Sequence, residues 1–215
     1  MDARQLRKEF ISLAQRLQRP GSGSALAFLR ERTAWMLFPD LTATLHPIPW
    51  AVVGAVATRL YMPERATRDL DIVVRNEDAV EVRRRLAEAG FEYQGELSVG
   101  GSSWLSADGI PVDVLEMAQL WLAQALSEAR HNPNIQGLPV LTLPYLVLMK
   151  LQAGRVQDLA DVTRMLGQAS DEALNAVRDL FAQYSPADLE DLESLVILGR
   201  MEMQLPQADD EQHDR

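Results

Sequence analysis

The sequence predicts an α+β fold: a small mixed β-sheet flanked by helices, followed by a helical C-terminal part. Three observations carry that expectation. Short strand-like runs fill the middle of the chain, "WAVVG", "LDIVV", "FEYQGEL", "SSWLSA" and "IPVDVLE", and their length and turn-residue borders suit strands better than helices. A well-signalled helix, "EDAVEVRRRLAEAG", separates the second run from the third. From Leu143 onward, apolar residues recur at helical spacing.

Taken in order, "ARQLRKEFISLAQRLQ" places Leu6, Phe10, Leu13 and Leu17 on one helical face and reads as an amphipathic helix. Pro20, Gly21 and Gly23 of "RPGSGS" break it. "ALAFLRERTAWMLF" is a second helical candidate, and a proline-punctuated link, "FPDLTATLHPIP", leads to the first buried strand, "WAVVG". After Gly54, "AVATRLYM" reads as a helix, and "LDIVV" is the second strand. In the helix that follows, Asn76 is the candidate cap, acids fill the first turn, Gly90 ends it, and Ala79, Val82, Leu86 and Ala89 form the apolar stripe. Three strand-like runs come next, with Asp108-Gly109 turning between the last two. Pro144 then suits a first helical turn, and "LVLMKLQAG", "VQDLADVTRMLG", "DEALNAVRDLFAQY" and "PADLEDLESLVILGRMEM" complete the chain as helices. The expected organisation is a helical extension over 1–47, an α/β core over 48–141, a helical part over 142–204 and a disordered acidic tail over 205–215.

A chain of 215 residues is one large domain or two small ones. Its 47% hydrophobic and 24% charged residues are those of an ordinary globular protein. With no cysteine, disulfides, thiolate metal sites and cysteine nucleophiles are excluded. "MDARQLRKEF" lacks the apolar core of a signal peptide, and "LPYLVLMKL" is too short to span a bilayer, so a cytoplasmic location without membrane contact is expected. The net charge of −10 argues against extended DNA binding, which needs a basic surface, but leaves room for a pocket that takes a triphosphate or one RNA end. No P-loop or dinucleotide-binding glycine motif is present, and His46, His131 and His213 are too scattered for a zinc site.

The sharpest feature is "RATRDLDIVV". A strand turns residues i and i+2 to one side, so Asp69 and Asp71 project together while Leu70 faces the core. Two carboxylates this close repel unless a cation lies between them, and an all-oxygen donor set suits Mg²⁺ or Mn²⁺. Asp113, between Val112 and Val114 in "PVDVLE", offers a third carboxylate if its face is the one bearing the pair. Taken alone, a D-x-D reads as well as two polar positions on a half-buried strand. Gly54 lies between a strand and a helix, where a missing side chain admits phosphates to backbone amides, though a lone glycine is also a plain turn. Lys150 interrupts an apolar helical face in "LVLMKLQA", followed by Arg155, Asp158 and Asp161; a solvated face is the ordinary reading of such charges.

In this order, Gly54, then Arg65-Ala66-Thr67-Arg68-Asp69-Leu70-Asp71, then Asp113, then Lys150, Ala153, Arg155, Asp158 and Asp161 resemble the nucleotidyltransferase fold of the DNA polymerase β superfamily. Within it, the pattern is similar to the bacterial AbiEii-type abortive-infection toxins, with a Gly-Gly or Gly-Ser opening a helix, R-x-T-x-D-x-D, a later acid, and K-L-x-A-x-R-x-x-D-x-x-D. The matched region runs over roughly 48–168. The resemblance implies that Asp69, Asp71 and Asp113 hold a metal, Mg²⁺ or Mn²⁺, on an NTP substrate, and that Asp113 completes the site or serves as base. It implies further that Gly54 faces the phosphates and that Lys150 and Asp158 belong to the catalytic set. Arg65 is then a candidate phosphate contact, and Ala55, Thr67 and Arg155 stand at matching positions on the nucleotide side. The implied reaction moves an NMP onto an RNA acceptor such as a tRNA end, or onto a protein, as the toxin of a toxin–antitoxin pair with an antitoxin as partner. Ala55 departs from the family's Gly or Ser and removes a hydroxyl. That departure supports a second reading, a catalytically inactive binding or partner module on the same fold; a plain α/β domain with no site is the third.

Overall fold

The computed structural model describes residues 3–17, 37–62 and 67–203. The Pro-Gly break, Arg65, the acidic tail and all but the last two residues of the second helical candidate lie outside them. The described residues divide into two compact units, one over 37–146 and the other joining 3–17 to 147–203.

The first unit is built on a five-stranded mixed sheet in the order β1-β2-β5-β4-β3. Its strands are β1 (Ala51–Val52), β2 (Leu70–Arg75), β3 (Glu92–Glu96), β4 (Gly101–Leu105) and β5 (Pro111–Met117). β2 and β5 run parallel, and every other neighbouring pair is antiparallel. Parallel neighbours need a long crossover. Here it consists of helix α4 (Ala79–Glu88) and the β3–β4 hairpin, preceded in the chain by α1 (Ala3–Leu17), α2 (Thr42–Leu45) and α3 (Gly54–Thr58). One sheet face is apolar at its centre: Leu70, Ile72, Val74, Val112 and Val114 are each 0% exposed. Helix α4 covers that face with Val82 and Leu86, both buried. Its Arg83 bonds Glu116 of β5 at 2.8 Å and Glu96 of β3 at 2.6 Å.

Two local expectations shift. Asn76 opens a 3₁₀ turn over Asn76–Asp78, and α4 begins at Ala79 with no side-chain cap, because the Asp78 carboxylate accepts from Arg75 Nε at 2.8 Å. The helix after Gly54 spans only five residues. Thr58 Oγ1 donates to the Ala55 carbonyl at 2.8 Å, a local bond that competes with the helical ladder. Gly90 does end α4, at φ +85°, with Phe91 N–H returning to the Leu86 carbonyl at 3.0 Å. Helix α5 (Leu122–Ala129) follows the sheet, and Trp121 before it stacks on Tyr145 with ring centroids 5.7 Å apart.

Helix α6 (Leu143–Ala153) spans the division between the units. The second unit continues with α7 (Val156–Gln168), α8 (Asp171–Tyr184) and α9 (Leu189–Met203). Ser170 caps α8 by accepting from Ala173 N–H at 3.2 Å. Helices α7 and α9 cross through glycine: a Cβ on Gly199 would lie 2.1 Å from the Thr163 carbonyl oxygen, and one on Gly167 would lie 2.4 Å from that of Gly199. The N-terminal helix α1 forms as expected but turns a different face inward. Arg7 and Ile11 are buried, whereas Leu6, Phe10, Leu13 and Leu17 stand between 37% and 69% exposed. Arg7 decides the orientation: it bonds Asp191 at 2.8 Å, Asp188 at 2.5 Å and the Leu151 carbonyl at 3.0 Å. Among the described residues, no helix is long and apolar enough to cross a membrane.

Candidate active site

The apolar run of β2 is buried on both sides from Ile72 to Val74, as suits an interior strand held between β1 and β5. Its N-terminal end emerges from the core at Asp71, and Asp69 lies two residues earlier, just before the strand begins. The parallel register sets Asp71 opposite Asp113 of β5. Residues paired across neighbouring strands project to one face, with strands roughly 4.8 Å apart. The two carboxylates therefore stand side by side, half-buried, on the face opposite the apolar layer. A one-residue slip of β2 would turn Asp71 toward the layer of Val112 and Val114 instead.

Gly54 closes this end of the site. The chain leaves β1 extended at Val53, whose N–H donates to the Asp71 carbonyl at 2.9 Å, and turns at Gly54 with φ +61°. A Cβ there would lie 1.8 Å from Asp71 Oδ2, so the space a side chain would take is filled by that carboxylate. Ala55 follows, half-buried at the start of α3.

Each outer aspartate has a hydroxyl partner. Thr67 Oγ1 donates to Asp69 Oδ1. Ser103 Oγ, paired with Asp113 in the β4–β5 register, donates to Asp113 Oδ1 at 2.6 Å. Ser103 was not foreseen. The signal for it is the alternation in "GSSWL": Trp104 must face the core, so Ser103 must face the carboxylates.

Among the described residues, no three acidic or histidine side chains already stand gathered as a ready cation site. The fit to a divalent ion lies in the donors and the backbone. Asp71 and Asp113 are placed together by register, Asp69 stands two residues before Asp71 in the chain, and the absence of a side chain at Gly54 makes room for the Asp71 carboxylate.

The other four predicted residues divide. Arg65 lies outside the described residues. Lys150, Asp158 and Arg155 come together with Asp161 inside the helical unit, whereas Asp69, Asp71 and Asp113 belong to the sheet unit. Lys150 Nζ donates to Asp158 Oδ1 at 3.1 Å and to Asp161 Oδ2 at 2.9 Å, while Arg155 Nε donates to Asp158 Oδ2 at 2.6 Å. Gln157 Nε2 reaches the remaining oxygen of Asp161 at 3.0 Å. Lys150 and Asp158 are 4% and 2% exposed, and two cations balance two anions. A buried pair survives only when its partners are this fully satisfied.

No protein-family model and no curated protein matches the chain. Among solved structures, the antibiotic-resistance factor ANT(2″)-Ia in complex with adenylyl-2″-tobramycin is similar at 18% identity over 74% of this chain and 92% of that one, with a TM-score of 0.42. A candidate nucleotidyltransferase from Thermotoga maritima is similar at 18% identity over 67% of this chain and 91% of that one, with a TM-score of 0.39. A CCA-adding enzyme solved with CTP is similar at 14% identity over 74% of this chain and 46% of that one, with a TM-score of 0.36.

Proposed function

We propose that the protein is a metal-dependent nucleotidyltransferase that moves an NMP from an NTP to an acceptor hydroxyl. The observation that carries this reading is the Asp71–Asp113 register on β2 and β5, with Gly54 giving way to the Asp71 carboxylate. Asp69, Asp71 and Asp113 would hold Mg²⁺ or Mn²⁺. When bound, that ion supplies positive charge against the triphosphate oxygens as charge develops on them. In the reaction, the acceptor oxygen forms a bond to the α-phosphorus, the bond from the α-phosphorus to the bridging oxygen breaks, and pyrophosphate leaves. The acceptor O–H proton passes to Asp113 where that residue serves as base, or to water where Asp113 completes the metal site. The Gly54 turn faces the phosphates, with Ala55, Thr67 and Arg65 on the nucleotide side.

The acceptor is an RNA end, such as that of a tRNA, or a protein side chain, and the AbiEii-type resemblance supports a role as the toxin partner of an antitoxin. Lys150, Asp158 and Arg155 enter as the ionic brace of α6 and α7, because their charges are already spent on one another. Ala55 favours a second reading, a nucleotide-binding module without turnover, in which triphosphate binding needs no metal.

Thermal shift with Mg²⁺ and each of the four NTPs tests the proposal, on the wild type and on Asp71→Asn. At ~100-fold excess over Kd, a ligand bound only by the folded state contributes about 2.7 kcal/mol. Stabilisation that needs both metal and one NTP, and is lost in the variant, is the expected outcome. Stabilisation by NTP alone favours the binding module, and none at all sinks both readings.

A further inference from the structure

Asp113 carries the most exacting task in this site. It must present an oxygen to the space shared with Asp71, yet it sits between two fully buried valines, Val112 and Val114. Adjacent carboxylates that rotate freely would turn apart. Something has to fix this one, and the neighbouring strand supplies it.

Strand β4 divides two consecutive serines between two layers. Ser102 is 0% exposed and accepts from Trp104 Nε1 at 2.9 Å, which makes it part of the core. Ser103 is half-buried on the other face and donates to Asp113 Oδ1 at 2.6 Å. The approach of the two strands is secured at Gly101, where a Cβ would lie 2.0 Å from the Val114 carbonyl oxygen and φ is +115°. Ser103 therefore cannot drift from Asp113 without opening the β4–β5 ladder, in which the two residues are register partners.

We propose that Ser103 is a positioning residue: its hydroxyl pins Oδ1 of Asp113 so that Oδ2 is the oxygen offered to a divalent ion shared with Asp71. This rests on the metal-dependent reading above and adds a residue to it. A hydroxyl donor suits the task because it orients a carboxylate without adding a charge that would compete with the cation. A lysine or arginine here would neutralise the site, and an alanine would let the carboxylate rotate.

The test is Mn²⁺ binding to the full chain, read as the loss of the free-ion EPR signal, with no nucleotide and no turnover involved. Wild type, Ser103→Ala, Ser103→Thr and Ser102→Ala are compared, with urea denaturation of each as the check on folding. Loss of such an outer partner typically weakens metal affinity by about 10- to 100-fold. That range is expected for Ser103→Ala, with recovery in Ser103→Thr, which keeps the hydroxyl. Ser102→Ala should lose stability through Trp104 and leave the Mn²⁺ affinity as in the wild type. Unchanged affinity in Ser103→Ala overturns the positioning role while leaving the metal site standing. Equal weakening in Ser102→Ala overturns it too, since the loss then follows the strand and not the hydroxyl. If the wild type itself takes up no Mn²⁺, the metal-dependent reading fails first.

Discussion

At Gly54 two constraints coincide, a backbone φ of +61° and the Asp71 carboxylate lying where a Cβ would go. Left-handed backbone costs an ordinary residue roughly 1–2 kcal/mol, and the steric clash with Asp71 adds to that. Gly54→Ala is therefore expected to lower the urea midpoint and to abolish the metal-dependent nucleotide shift together. Retention of both would show that Asp71 does not reserve the position. From the sequence, Asp69 and Asp71 were legible because strand alternation is local, and Asp113 was legible as a lone acid in an apolar run. Which residue of β2 Asp113 opposes was not, because register between strands with a helix and a hairpin between them is a property of the assembled sheet. Ser103 was missed for the same reason: its meaning depends on a partner in the next strand.

Among the elements, α1 shows how periodicity can identify a helix and still misjudge its face. The stripe of Leu6, Phe10, Leu13 and Leu17 is the obvious candidate for burial, yet the buried face centres on Arg7 and Ile11. A hydrophobicity pattern gives no weight to an arginine whose partners, Asp188 and Asp191, come at the far end of the chain. Removing one member of a buried ionic set leaves the others uncompensated, at a cost of about 3–5 kcal/mol. Arg7→Ala should lose about that much in urea denaturation. Leu13→Gln, on the exposed stripe, should change stability by no more than ~0.5 kcal/mol. Similar costs for the two would contradict the observed orientation of α1. Lys150 belongs to the same lesson: the interruption of an apolar face was visible, and the ring of acceptors around it was not.

For the molecule as a whole, the formal charge of −10 sets what kind of encounter is available to it. Without a broad basic surface there are few counterions to displace from a duplex. Filter binding to random duplex DNA at 50 mM salt should show no retention at micromolar protein, and salt-sensitive retention there would refute this. The α+β class, the number of strands in the core and the helical C-terminal part were all legible from composition and periodicity. The joining of residues 3–17 to the C-terminal helices was not, since nothing local in either segment names the other. One further consequence follows from the order of the strands. β5 is the last strand made and the one in the middle, holding β2 on one side and β4 on the other. On the ribosome, β1–β2 and β3–β4 can form only as separate ribbons, each with an unsatisfied edge. The eighth decade of the chain waits for the twelfth, and Asp71 and Asp113 become neighbours at the moment the sheet becomes one.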